Sequence, residues 1–224
     1  MRNKKEKKNQ KKKKSPNLEH SENNKKAVFD IVVISMSEST SKAIYKIIKE
    51  RRSIRSFIDK EIPDNIVQQV LEAGWMAPSA GNRQPVEFII IKDPSIKQRL
   101  TAQKFVAEAP VVIIVVVNLE RTTSRYGDRG ERMYIYHDSG AAIQNILLMC
   151  KALNLGSCWI GAFNDNRVAR LLELPETVLP MAIIPIGYPN QDPDPPRKIP
   201  LDKISHVERY EEQKIKEYLM SLVD

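Results

Sequence analysis

Cysteine, histidine and glycine are scarce in this chain, with two, three and eight residues of 224. Cys150 and Cys158 are too few for a disulfide framework and form no C-x-x-C pair. Both read as ordinary buried thiols, and a reducing cytoplasm is the expected compartment. His20, His137 and His206 stand at no metal-ligand spacing, so no metal centre is expected. The glycines never assemble into G-x-G-x-x-G, a P-loop or G-x-S-x-G. Dinucleotide-fold dehydrogenases, NTPases and α/β-hydrolases lose their sequence support with them. No apolar run approaches membrane-spanning length. The run at 27–34 is interrupted by Asp30 and lacks a small-residue cleavage pattern, so it fits a targeting peptide poorly.

Positive charge is plentiful but confined to one place. Residues 1–26 carry Arg2 and ten lysines against three glutamates, which accounts for the whole net charge of +8; residues 27–224 are balanced. A lysine- and asparagine-rich tract with so few apolar residues cannot bury enough surface to fold. It reads as a solvated extension. A basic arm for nucleic acid or anionic lipid is the alternative, but no aromatic precedes Phe29 to stack on a base, and neither nucleic acid nor membrane is expected as a partner. The expected organisation is a basic, unfolded extension over residues 1–35 and one domain over 36–224. Met36 opens Ser37-Glu38-Ser39-Thr40-Ser41, which offers an N-cap to the first helix, so the functional chain is expected to begin there.

Periodicity predicts helices over Ser41–Glu50, from Pro63-Asp64 to about Trp75, from Pro94 to about Phe105, over Arg132–Leu153, over Asp165–Leu172 and from His206 to Leu219. Strands are expected over Glu87–Lys92, Val111–Val117 and Met181–Ile186, the second buried on both faces because all seven residues are β-branched. Asn154-Leu155-Gly156 supplies a glycine stop to the longest helix, and Pro189–Pro200 excludes regular structure. Residues 119–131 are expected as a short loop. Strands separated by helices indicate an α+β, three-layer α/β/α sandwich. Ala141 and Ala142 allow a second helix to come close, in a dimer core or in the monomer's own core.

Two segments carry chemistry. In Arg51-Arg52-Ser53-Ile54-Arg55, an extended chain turns Arg51, Ser53 and Arg55 to one side, the donor set that a phosphate or an electron-rich ring edge demands. By composition alone the same arginines are a solvated basic turn at a helix end. In Ala77-Pro78-Ser79-Ala80-Gly81-Asn82-Arg83-Gln84-Pro85 the prolines exclude a helix interior, and two amides stand ready to read a polar heterocycle. A loop with only local turn bonds is the plainer account.

Taken with Leu155-Gly156-Ser157-Cys158-Trp159-Ile160-Gly161-Ala162-Phe163, these segments resemble the nitroreductase family of FMN-dependent oxidoreductases over roughly residues 42–205. The resemblance implies a homodimer with FMN at the interface, NADH or NADPH as electron donor and a small electron acceptor such as a nitroaromatic or quinone. It implies that Arg51 and Ser53 meet the phosphate and ribityl chain, that Arg55 meets the pyrimidine edge, and that Arg52 has a lesser part. Pro78, Ser79, Asn82 and Gln84 pack on the flavin from the partner subunit, and Trp159, Ile160 and Gly161 lie along one ring face, with the Gly161 N–H toward flavin N5. Gln103 resembles a further pyrimidine-edge contact, and Arg197 or Lys198 a phosphate ligand. Val86 departs from the family, which commonly has tryptophan there. No nucleophile–base pair is needed, because the chemistry belongs to the flavin. Alternatives are a flavin-destroying or dehalogenating enzyme of the same fold, for which 119–131 is the one candidate lid, and a non-catalytic flavin-binding protein.

Overall fold

Seven consecutive β-branched residues make the centre of the sheet. In the computed structural model, which describes residues 40–220, strand β3 (Val111–Asn118) runs antiparallel between β2 (Val86–Ile91) and β5 (Val178–Pro189). Two short strands, β1 (Phe57–Ile58) and β4 (Gly156–Ser157), pair side by side with the other edge of β5. The basic tract, the apolar run behind it and the expected start at Met36 lie outside the described residues. By its internal contacts the chain divides into Met1–Lys46 and Ile47–Asp224; helix α1 (Thr40–Glu50) spans that division. All five strands and every later helix belong to the second unit.

Alternation along β3 sends its side chains into two clusters. Val111, Ile113 and Val115 join Val67 and Val70 of α2 (Asp64–Trp75) and Ile143, Ile146 and Leu147 of α6 (Ile135–Ala152). Val112, Ile114 and Val116 join Leu100 of α3 (Pro94–Leu100), Val106 of α4 (Lys104–Glu108) and Val168 of α7 (Asp165–Leu171). Every residue from Val111 to Val117 is buried, which bears out the strand buried on both faces. Pro180 on β5 has no N–H to give; it sits at a bulge where the register shifts between Val115 and Val116. Helix α2 meets α6 closely at Gly74, where an added Cβ would fall 2.9 Å from Ile146 and Phe88.

Three elements differ from the sequence expectation. The helix from Pro94 is two helices, broken at an extended Thr101. Leu100 and Val106 both enter the second cluster, and on one continuous helix residues six apart would point about 240° apart. Residues 119–131 are no loop: α5 (Leu119–Arg129) begins there, with the Asn118 side chain accepting the Glu120 N–H at 3.1 Å. It kinks at Gly127 (φ 49, ψ −138) and passes through a π-helical turn, Gly130–Tyr134, before α6. Its polar sequence hides it because only Thr122 is buried. At the C-terminal end, α8 (Leu201–Ile204) and α9 (Glu212–Met220) replace one helix from His206, whose Nδ1 accepts the Glu211 N–H at 3.0 Å.

Candidate functional site

The last turn of α1 hands the chain to an extended segment. Arg51 N–H donates to the Ile47 carbonyl at 3.0 Å, and Arg52 Nη1 donates to the Lys49 and Arg51 carbonyls at 2.7 and 2.8 Å. Arg52, expected to play a lesser part in cofactor binding, closes the C-terminus of α1. Its Nε is buried with no hydrogen-bond partner. Beyond it Ser53 bridges Ser157 in parallel, and Ile54 N–H donates to the Ser157 carbonyl at 2.9 Å. Ile54 is buried against Gly156, where an added Cβ would come within 2.7–2.9 Å of its side chain. Glycine at 156 therefore brings the two backbones together.

Ile54 turns inward, and Ser53 and Arg55 alternate with it along the extended segment. Groups on this segment act on the Cys158 thiol. Burial pushes its pKa up, while the Arg55 guanidinium, the Ser53 hydroxyl and the Arg51 guanidinium, in that order, pull it down. Arg51 and Ser53 are half-buried and Arg55 is exposed. Cys150 is inert by contrast, its thiol pushed up to about 12 by burial.

The strip after Cys158 lies beside this cluster. Ile160 exchanges both backbone hydrogen bonds with Ile183, each 3.0 Å, and its side chain is buried in the second cluster. Ile160 therefore anchors the strip to β5. Trp159 is 45% exposed, with its indole edge 3.8 Å from where a Cβ on Gly140 of α6 would stand. Gly161 is exposed, its φ is not positive, and an added Cβ would meet nothing within 4 Å. The fold itself does not require glycine there.

The Pro78–Gln84 loop forms a second group. Gly81, Asn82 and Gln84 all have positive φ, near 50°. The turn is held from within by Ser79 Oγ, which accepts the Gln84 N–H at 2.9 Å, and by Gln84 Nε2 donating to Asn82 Oδ1 at 3.1 Å. From outside it is held by Asp138 of α6, which accepts the Ala80 N–H at 2.9 Å, and by α5. There Arg83 Nε donates to the Arg121 carbonyl at 2.6 Å, Arg121 donates to the Gln84 carbonyl at 2.9 Å, and the Tyr126 hydroxyl lies against Gly81. Asn82 and Gln84 remain exposed.

Gln103 stands at the start of α4, where its side chain does not cap the helix, and Arg197 and Lys198 are exposed in the irregular stretch between β5 and α8. Arg51, Ser53 and Arg55 all act on the Cys158 thiol; none of these three distal residues is among the groups that do. Sequence reasoning missed Asp138 and the part taken by Cys158. Asp138 had a signal, a lone acid at the start of an otherwise apolar helix; Cys158 had only its place before Trp159.

The nitroreductase family profile matches residues 48–102 and 97–188. A protein of Methanothermobacter thermautotrophicus assigned as a NADH dehydrogenase/NAD(P)H nitroreductase is 32% identical over 177 residues, 75% of this chain and 87% of the relative. A Bacillus subtilis FMN reductase [NAD(P)H] is 28% identical over 184 residues, 75% of this chain and 74% of the relative. Among solved structures, the NADPH:FMN oxidoreductase of Vibrio harveyi in complex with NAD+ superposes with a TM-score of 0.70 at 25% identity, covering 80% of this chain and 84% of that one.

Proposed function

This chain belongs to the nitroreductase family, and from that premise we propose that it is an FMN-dependent oxidoreductase passing hydride from NAD(P)H to a nitroaromatic, a quinone or a similar small electrophile. FMN, when bound, supplies the hydride acceptance and donation. The chain's own residues supply position and charge. Arg51 and Ser53 hold the phosphate and ribityl chain, and Arg55, exposed beside them, meets the pyrimidine edge, where a cation favours the reduced, anionic form. Trp159 and the open Gly161 backbone form the ring's floor, the Gly161 N–H serving as the donor at N5. Ile160 contributes by pinning that strip to β5, and Arg52 by fixing the end of α1. Gln103 and one of Arg197 and Lys198 complete the pyrimidine-edge and phosphate contacts.

The observation that carries this reading is the pairing of the Arg51–Arg55 segment with Ser157, at the start of the strip that runs to Gly161, a glycine the fold does not need. An architecture of three α/β/α layers is supported by the two helical clusters that share β3. A homodimer is supported by α6. Asp138 holds the Ala80 loop and Gly140 faces Trp159, and residues two apart on a helix point about 200° apart. That separation supports a site shared between two copies, with Pro78, Ser79, Asn82 and Gln84 reaching the flavin of the second. Tyr136, 57% exposed, and the half-buried Gly140, Ala141 and Leu148 give that helix a free face; Ala142 belongs to the chain's own core. The two free, buried thiols accord with a reducing cytoplasm.

Reconstitution with FMN tests the reading. One FMN per subunit of a dimer is expected, and Arg51→Ala should weaken binding by about 1.5–3 kcal/mol, the scale of a charge-assisted hydrogen bond. A folded protein that takes up no FMN would refute it.

A further inference from the structure

Helix α5 presents an arrangement to which the flavin site gives no role. Its arginines at 121, 125 and 129, and Arg132 in the turn after it, do not share one fate. Arg121 pairs with Glu87 at 2.7 Å and Arg132 with Asp128 at 3.8 Å. Arg125 and Arg129, both exposed, have no carboxylate partner among the described residues and lie instead over tyrosines. Arg125 sits 5.4 Å from the Tyr126 ring centre and Arg129 5.4 Å from that of Tyr134. Arg129 Nε also donates to the Tyr134 hydroxyl at 2.9 Å, and the two rings meet edge to face at 4.9 Å. The kink at Gly127 makes this possible by folding the helix back, so that Tyr134 returns against Tyr126. Two guanidiniums are thereby held in place with their terminal amino groups still free to donate.

Their position gives them a use. Arg125 Nη1 stands 3.3 Å from where a Cβ on Gly81 would be, so it borders the loop that carries Asn82 and Gln84. We propose that Arg125 and Arg129 form the docking site for the phosphate groups of the nicotinamide dinucleotide that reduces the flavin. The inference rests on the reading of the Pro78–Gln84 loop as part of the flavin site. A hydride donor must stack its nicotinamide on the flavin, and the rest of the dinucleotide then has to leave past the loops at the rim. Phosphate is the dinucleotide's strongest handle, and a pre-positioned planar guanidinium pairs with it at small entropic cost. A nitroaromatic or quinone acceptor carries no such group, so these residues separate the two substrates of one site.

The test is steady-state kinetics of the FMN-loaded dimer carrying Arg125→Gln and Arg129→Gln together, with calorimetric binding of NADP+ as a readout apart from turnover. The Michaelis constant for NADPH and the dissociation constant of NADP+ should each rise about ten-fold or more, while FMN content and the Michaelis constant for a quinone acceptor stay at wild-type values. Loss with NADPH alone assigns the pair to the 2′-phosphate, and equal loss with NADH assigns it to the pyrophosphate; either upholds the proposal. If the double variant folds poorly, the wild type still decides, because its NADPH constant should climb with ionic strength while the quinone constant does not. Dinucleotide constants unmoved by both substitution and salt would overturn the proposal. A wild-type protein that takes up no FMN would instead overturn the flavin reading beneath it.

Discussion

Asp138 Oδ1 accepts the Ala80 N–H at 2.9 Å, joining a buried carboxyl on α6 to a turn 58 residues away in sequence. Oδ2 of the same group is buried with no hydrogen-bond partner. Burial pushes the Asp138 pKa up; the Ala80 N–H and the neighbouring His137 pull the other way without reversing it. A raised acid binds its proton more tightly in the folded state, so its contribution is intact below the ordinary carboxylate value and is lost as pH rises through the raised one. Stability of the wild type should therefore decline as pH climbs from about 4 through that window, and Asp138→Asn, which still offers an oxygen to Ala80, should flatten the decline. Asp138→Ala should lower the melting temperature at every pH, because it leaves the Ala80 N–H unpaired. Thermal melts of the three proteins across pH check this.

Gly156 and Gly161 lie five residues apart and should respond oppositely to alanine. At Gly156 a Cβ would meet Ile54 at 2.7–2.9 Å, so Gly156→Ala should destabilise the fold by about 1–3 kcal/mol through overpacking. At Gly161 it would meet nothing within 4 Å, so Gly161→Ala should leave chemical denaturation unchanged while reducing FMN affinity. Equal effects of the two substitutions on stability would remove the argument that Gly161 is kept for a ligand.

The end of α6 shows what the sequence could and could not reveal. A stop at Asn154-Leu155-Gly156 was legible, yet the residue in the left-handed conformation is Asn154 (φ 58), not the glycine. Asn154 N–H bonds the Lys151 carbonyl at 3.1 Å and Leu155 N–H the Cys150 carbonyl at 2.8 Å, which is the Schellman arrangement. Asn154→Gly should hold or raise the melting temperature, and Asn154→Ala should cost about 1 kcal/mol in denaturant unfolding.

Val111–Val117 could be read directly as a strand buried on both faces, because period two and β-branching are local properties. Helix α5 could not. Its stability comes from the Asn118 cap, the buried Thr122 and bonds to the Pro78–Gln84 loop, and none of these leaves an apolar stripe. The approach of the Arg51–Arg55 segment to Cys158 was equally hidden, since it depends on Ser53 pairing with Ser157, a contact between residues more than a hundred positions apart. The pairing of Ile160 with Ile183 was hidden for the same reason.

Anaerobic titration of the FMN-reconstituted protein with NADPH, followed through the visible flavin absorbance, tests the central claim most directly. The expected result is complete bleaching at one equivalent of NADPH per bound FMN, with full recovery when a quinone or nitroaromatic is added. Flavin that binds but stays oxidised in excess NADPH and NADH, or reduced flavin that a quinone does not reoxidise, would contradict the assignment of this chain as an NAD(P)H-dependent oxidoreductase.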